Sequence, residues 1–166
     1  MNHNARIEAM YLAPEAGGEL YRLPELRVEA GLGIVGDRNF GEPRWPGQNI
    51  SFIEAEVIEA FNREFGHTID FGLPRRNIVT RGLRLNALEG REFAVGDLRF
   101  RGIELCEPCA MLGARLEMEG LSKKEIVKWF LHRGGLRAEV LSSGLLREGQ
   151  TFALPEPVLT EPSLLT

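Results

Sequence analysis

Cys106-Glu107-Pro108-Cys109 holds the only two cysteines of the chain. It falls where strand-like residues give way to helix-like ones, with Pro108 suited to a first helical position. A cysteine at a helix start faces backbone N–H groups without helical partners and the positive end of the helix dipole, and both favour the thiolate. A thiolate attacks sulfur or binds a soft metal. Cys109 is therefore the candidate nucleophile or metal ligand. Cys106 is either a helper thiol or a buried small hydrophobe. Glu104 and Glu107 work against this assignment, because carboxylates raise a nearby thiol's pKa unless they point away or an arginine such as Arg76, Arg81 or Arg133 neutralises them.

Two further segments carry potential chemistry. In Gly33-Ile34-Val35-Gly36-Asp37-Arg38, followed by Arg44 and Gln48-Asn49, the glycines permit close backbone approach to a ligand, with Asp37 and Arg38 as candidate contacts. No Gly-Lys-Ser/Thr follows, so this is not a P-loop, and no helix or second strand frames it as a dinucleotide fingerprint. The plainer alternative is a turn in which Asp37 binds backbone amides. Pro74 to Arg84 carries four arginines, Arg75, Arg76, Arg81 and Arg84, and no acid. Arg76, Asn77 and Arg81, beside a turn at Gly82, are suited to phosphate or carboxylate oxygens through charge-assisted bonds. A solvated basic face paired with some of the 21 glutamates is the alternative.

Other chemistries fit less well. A structural zinc site needs four ligands and the chain offers one C-x-x-C. His3, His67 and His132 are the only histidines, and none has ligand spacing to another. A thioredoxin places its C-x-P-C early, after one βαβ element, whereas here 105 residues of β-type sequence come first.

The elements that must position these groups are short. Ala5 to Leu12 and Glu25 to Ala30 alternate roughly, and the glycines after them break the pattern. Gln48 to Phe52 is expected to be a strand. Ser51 and Glu54 have capping-box spacing, which with Ile53, Val57, Ile58 and Phe61 predicts a helix over 53–64. Asn77 to Thr80 and Phe93 to Leu105 supply more strand, the latter bent or paired on itself at Gly96-Asp97. A helix is expected from Pro108. Ser122 and Glu125 repeat the capping-box spacing ahead of a helix that ends near Gly134-Gly135. Leu136 to Leu141 and Gln150 to Leu154 are expected to be closing strands. The chain does not read as a βαβ series. The expected fold class is mainly β with a few helices, as a closed or nearly closed barrel that removes its edges.

At 166 residues the chain suits one domain, expected over 1–154, with a loose proline-containing tail over 155–166. Hydrophobic residues at 43% and charged residues at 27% fit a globular protein rather than a disordered one. A net charge of −4 argues against a general nucleic-acid binder. Yet 17 of the 20 basic residues are Arg, whose planar fork suits phosphate and carboxylate; a GC-rich genome gives the same ratio without function. No apolar run approaches the roughly 20 residues that cross a bilayer, and the first residues lack a signal-peptide core. The expectation is a cytoplasmic protein with no membrane association, and in that reducing setting a Cys106–Cys109 disulfide is not a structural staple.

In joint order the segments resemble the MOSC family, the domain found at the C-terminus of molybdenum cofactor sulfurases and as free-standing bacterial proteins. The resemblance runs from Gly33-x-x-Gly36-Asp37-Arg38 through Ile50-Ser51, Glu54 and Asn77-Ile78-Val79-Thr80-Arg81-Gly82. It continues through Leu85, Leu88, Val95-Gly96 and Glu104 to Cys109, and finishes at Gly134-Gly135-Leu136-Arg137-Ala138. It implies a barrel-like fold and molybdenum cofactor chemistry. Cys109 would ligate molybdenum or carry a persulfide, and Asp37, Arg38, Arg76, Asn77 and Arg81 would bind the anionic pterin cofactor. It implies either an oxidoreductase that reduces N-hydroxylated compounds with electrons from a partner reductase, or a sulfurtransferase. The latter would be a sulfur carrier fed by a cysteine desulfurase in assembly of the cofactor or of metal–sulfur clusters. A non-catalytic docking module for a partner reductase is the alternative of another class. Asn39 stands where free-standing members commonly have His, and no pyridoxal phosphate is expected, because that group belongs to the separate desulfurase domain of longer sulfurases.

Overall fold

A computed structural model describes residues 5–44 and 46–155. The tail expected over 155–166 lies outside the described residues from 156 onward.

Eleven strands and three α-helices are described: β1 (Arg6–Leu12), β2 (Tyr21–Arg22), β3 (Glu25–Glu29), β4 (Gly33–Ile34), β5 (Ile50–Glu54), α1 (Ala55–Phe65), β6 (Ile78–Arg81), β7 (Glu92–Val95), β8 (Leu98–Leu105), α2 (Ala110–Leu116), α3 (Lys123–Phe130), β9 (Leu136–Val140), β10 (Gly144–Arg147) and β11 (Phe152–Ala153). Eight of the strands form one sheet in the order β11-β7-β8-β9-β5-β6-β1-β2. That sheet curls until its ends meet. The free side of β1 bonds the segment before and into β11: Ile7 N–H donates to Gln150, Gly149 N–H to Ile7 and Phe152 N–H to Ala5, each at 2.9 Å. The result is a nearly closed barrel, as expected from the sequence. β10, β3 and β4 make a second, three-stranded sheet.

The strands nearest the site are buried on both faces. On β5 and β6, Phe52 and Ile78 point into the barrel, while Ile53 and Val79 point out under the helices with Phe61, Leu112, Leu116 and Phe130. Period-two alternation sends successive side chains to opposite faces, so both sides of such strands are apolar. β1 reaches the same result through a bulge, its register shifting between Ile7 and Ala9. β5 and β6 run parallel, joined by α1, so the chain contains one βαβ unit although it is not a series of them.

Two helix starts differ from expectation. α1 begins at Ala55, and its N-cap Glu54 makes no side-chain cap bond. The Ser51–Glu54 capping box does not form because both side chains have tertiary partners: Ser51 Oγ donates to Asn77 at 3.1 Å, and the Glu54 carboxylate accepts the Leu85 N–H at 3.1 Å. α2 begins at Ala110 rather than Pro108, with extended Cys109 as its N-cap. The Ser122–Glu125 capping box forms in full at the start of α3, and Gly96-Asp97 is the two-residue turn between β7 and β8. No helix among the described residues is long and apolar enough to cross a membrane.

Candidate functional site

β8 ends at Leu105, and four residues outside regular structure, Cys106 to Cys109, lead into α2, with Cys109 itself extended. This ribbon is held from behind by Gly134 and Gly135. Cys106 N–H donates to the Gly135 carbonyl at 2.8 Å. A side chain at Gly134 would run into the Cys106 carbonyl, and one at Gly135 into the Phe52 carbonyl. The two glycines thus pack closely between the site ribbon on one side and the β5 backbone on the other.

The two thiols sit in opposite environments. Cys106 is buried at 1% exposure, and burial pushes its pKa up, opposed by the nearby guanidinium groups of Arg76 and Arg137. Cys109 is exposed. Its sulfur closes no cap hydrogen bond of full geometry, yet the Leu112 N–H lies close enough to pull its pKa below the ordinary cysteine value. Partial desolvation opposes that shift, and the Met111 N–H, Arg76 and Arg115 add to it. Neither acid of the motif cancels the effect. Glu104 pairs with Arg137 at 3.5 Å, and Glu107 accepts the His132 N–H and faces its Nδ1 at 3.1 Å. Glu104 is thus paired by Arg137 and Glu107 is engaged by the His132 N–H, not by Arg81 or Arg133; Arg133 stacks over Trp129 at 4.5 Å.

Two spaces open near this ribbon. A narrow polar cleft of about 70 Å³ is bounded by Arg38, Asn49, Ser51, Arg75, Arg76, Asn77, Cys106 and Arg137. A roomier pocket of about 760 Å³ includes Tyr11, Leu73, Arg75, Met111 and Arg115 in its wall. Arg75 borders both. It is a non-glycine residue in the left-handed region, with φ of 64°, a conformation that costs about 1–3 kcal/mol and is characteristic of binding sites. Its Nε and Nη2 are buried with no hydrogen-bond partner among the described residues. Burial and the charge of Arg38 both lower its pKa.

The expected ligand-binding residues divide into three groups. Arg38 and Arg76 face the polar cleft, joined by Arg75 and Arg137. Arg38, Arg75, Arg76 and Arg115 form no ion pair with a carboxylate among the described residues. Asp37 and Asn77 border this region as its framework. Asp37 is buried and accepts the N–H groups of Ala13 and Asn39, each at 3.1 Å. Asn77 Oδ1 accepts from Ser51 N at 3.0 Å and its Nδ2 donates to the Tyr11 carbonyl at 3.2 Å. Arg81 is not brought to either space. It bonds Glu59 through both terminal nitrogens, at 3.0 and 2.9 Å, and Glu8 at 3.1 Å, which raises its pKa further.

Sequence reasoning passed over Arg115 and did not select Arg75 or Arg137. Arg115 stands four residues after Met111, so both share one face of α2, a spacing the sequence does show. Arg75 is marked by its backbone conformation and Arg137 by its position on β9 beside β8, neither of which is a sequence signal.

A soft thiolate beside guanidinium groups lacking carboxylate partners is a donor set for an anionic, metal-bearing ligand. The fold is shared with solved structures of low sequence similarity. YuaD from Bacillus subtilis superposes with a TM-score of 0.77 at 19% identity, covering 91% of this chain and 97% of that one. YiiM from Geobacillus stearothermophilus gives 0.69 at 15% identity, with 94% and 79% covered, and YiiM from Escherichia coli gives 0.63 at 20%, with 95% and 71% covered. No curated protein matches in sequence. The model of the MOSC domain matches residues 36–153, which take in Gly36-Asp37-Arg38, the arginine segment, both cysteines and the closing strands, and the chain therefore belongs to the MOSC family, generally associated with molybdenum cofactor binding.

Proposed function

We propose that this protein binds molybdenum cofactor, with Cys109 as the thiolate ligand of the metal and with Arg38, Arg75 and Arg76 holding its anionic part, as an oxidoreductase for N-hydroxylated compounds. The observation that carries this reading is Arg75, a strained residue whose guanidinium leaves two buried N–H-bearing atoms without acceptors. An uncompensated buried donor is costly unless a ligand satisfies it, and a phosphate offers acceptors of the right sign. The donor set therefore fits the cofactor.

When bound, the cofactor supplies the redox centre at which two electrons and two protons convert an N–OH group to N–H and water. The chain's own residues supply placement and charge. The Leu112 N–H and the guanidinium groups of Arg76 and Arg115 lower the pKa of Cys109, which favours the thiolate form that a soft metal binds. Cys106, with its pKa raised, stays a neutral thiol and does not compete for the metal. The electrons come from a partner reductase in this reading.

Sulfur transfer is the second reading, favoured by the exposure of Cys109. A persulfide carrier must meet its desulfurase at the surface, and an exposed thiolate does so. The deciding experiment is metal and sulfur analysis of the protein from a host that makes the cofactor, comparing wild type with Cys109→Ala. Molybdenum in the wild type alone supports the oxidoreductase. Molybdenum absent from both under adequate supply rejects it, and a stable gain of one sulfur atom on Cys109 then supports the carrier.

A further inference from the structure

The pocket of about 760 Å³ beside α2 has a composition that points to its own ligand. Its size is in the range of small-molecule sites, about 300–1,000 Å³. Gly72 lies so close to Tyr11 and Leu20 that a Cβ there would come within 2.8 Å of the Tyr11 ring and 3.0 Å of Leu20, which makes that part of the wall flat and apolar. Leu73 and Met111 continue the apolar wall while remaining exposed, Met111 at 63%. Large apolar side chains left open in a concavity are surface that an apolar ligand body would cover.

Arginines outnumber acids in the wall, Arg22, Arg75 and Arg115 against Asp70. Arg22 is spent on Glu148 at 3.1 Å, and the Asp70 carboxylate accepts the Gly72 N–H at 2.9 Å. Arg115 has one long bond to the Pro74 carbonyl, at 3.4 Å, and no carboxylate partner among the described residues. Arg75 has the two unpartnered nitrogens described above. Two guanidinium groups thus border the apolar wall with no ion pair to a carboxylate among the described residues, and Asp70 is the single acid of the lining. Met111 follows Cys109 by two residues, so this wall belongs to the same turn of chain as the reactive thiol.

We propose that this pocket is the substrate seat and that it selects a flat, mainly apolar molecule carrying an anionic group, paired by Arg115 with Arg75 behind it. For the reaction proposed above, that class is an N-hydroxylated aromatic carboxylate. The reaction depends on the cofactor reading; the charge selectivity is a property of the pocket alone.

The test is calorimetric titration of naphthalene-2-carboxylate and its neutral isostere naphthalene-2-carboxamide into protein from cofactor-producing and cofactor-deficient hosts, with molybdenum measured on the same samples. The carboxylate should bind about tenfold or more tightly than the amide, the scale of one charge-assisted hydrogen bond. The preference should vanish in Arg115→Gln and persist in Arg147→Gln, a surface charge change at the exposed Glu25 pair. Should Arg115→Gln fail to fold, Leu73→Glu, at an exposed position, should abolish carboxylate binding by adding a carboxylate to the wall. Equal binding of the two probes, or none, overturns the proposal. Carboxylate binding lost only in molybdenum-loaded protein also overturns it, because the pocket is then the cofactor's seat. Molybdenum-free protein from both hosts ends the cofactor reading, while the ratio of the two probes still decides the pocket.

Discussion

The Arg76 Nε–H donates to the Gly134 carbonyl across 3.0 Å, tying the arginine segment before β6 to the glycine pair that backs Cys106. The same guanidinium favours the charged form of both thiols. One side chain therefore links the backbone of the site to its charge. In Arg76→Met, Cys109 should alkylate with iodoacetamide measurably more slowly at pH 7, because less thiolate is present. Arg76→Lys should recover much of the rate through its charge, without the planar fork. An unchanged rate in Arg76→Met removes Arg76 from the electrostatics of the thiol.

The two cysteines should separate with pH. Cys109 has a lowered pKa, so its alkylation should rise at lower pH than that of a free cysteine, and its ionisation favours the fold above the unfolded value, an advantage lost as pH falls through the folded one. Cys106 has a raised pKa, so its contribution is present below the unfolded value and is lost as pH rises through the folded one. Peptide mass spectrometry after brief alkylation at neutral pH should find Cys109 labelled and Cys106 protected until urea is added. Equal labelling in the native protein contradicts the burial of Cys106.

Gly135→Ala should destabilise the protein by about 3 kcal/mol or more, since the added methyl group meets the Phe52 carbonyl and φ is already 105°. Gly36→Ala is the companion measurement. Its φ of 89° is similarly strained, but nothing lies within 4 Å of the added atom, so the cost should be about 1–2 kcal/mol from backbone conformation alone. Urea midpoints at constant m read both. Equal losses show that close packing at Gly135 contributes nothing.

Asn77→Ala should cost about 1–3 kcal/mol, because the Ser51 N–H and the Tyr11 carbonyl lose their side-chain partner in a buried setting. It should also loosen the wall of the polar cleft. Thermal unfolding gives the first effect, and proteolysis of the loop before β6 gives the second.

On the proposed cofactor reading, Arg81→Met should load molybdenum to the same extent as wild type while losing about 0.5–1 kcal/mol, a figure already discounted for solvent screening of a partly exposed pair. The Glu59 carboxyl is held below its ordinary pKa by Arg81, so the pair stabilises the fold above the unfolded value and the benefit is lost as pH falls through the depressed one. In Glu59→Gln that acid dependence should flatten. A loss of loading in Arg81→Met places Arg81 at the cofactor after all.

Much of the architecture was legible in the chain because it depends on local pattern. Rough alternation marked β1 and β3, short strand-like runs marked β5, β6, β8 and β9, the Gly96-Asp97 turn marked the hairpin, and the Ser122–Glu125 box marked α3. The Ser51–Glu54 box has the same spacing and misled, because Asn77 and the Leu85 N–H, 26 and 31 residues away, claim those side chains. Local spacing states what a side chain is able to bond, and long-range pairing decides what it does bond.

The site divides along the same line. The sequence by itself determined the thiol pair, the adjoining proline, the arginine segment and the family order of motifs, since each is a matter of residue type and spacing. Only the tertiary structure decided which arginines meet. Arg81 looks equivalent to Arg76 in the sequence, yet strand alternation and the parallel β5–β6 pairing turn it toward Glu59 and Glu8, away from the cleft. Arg115 and Arg137 come to the sulfurs from α2 and β9, elements whose relative placement follows from barrel closure rather than from any local preference. A guanidinium is a ligand donor only where no carboxylate has already taken it, and that condition is set by packing across the whole fold.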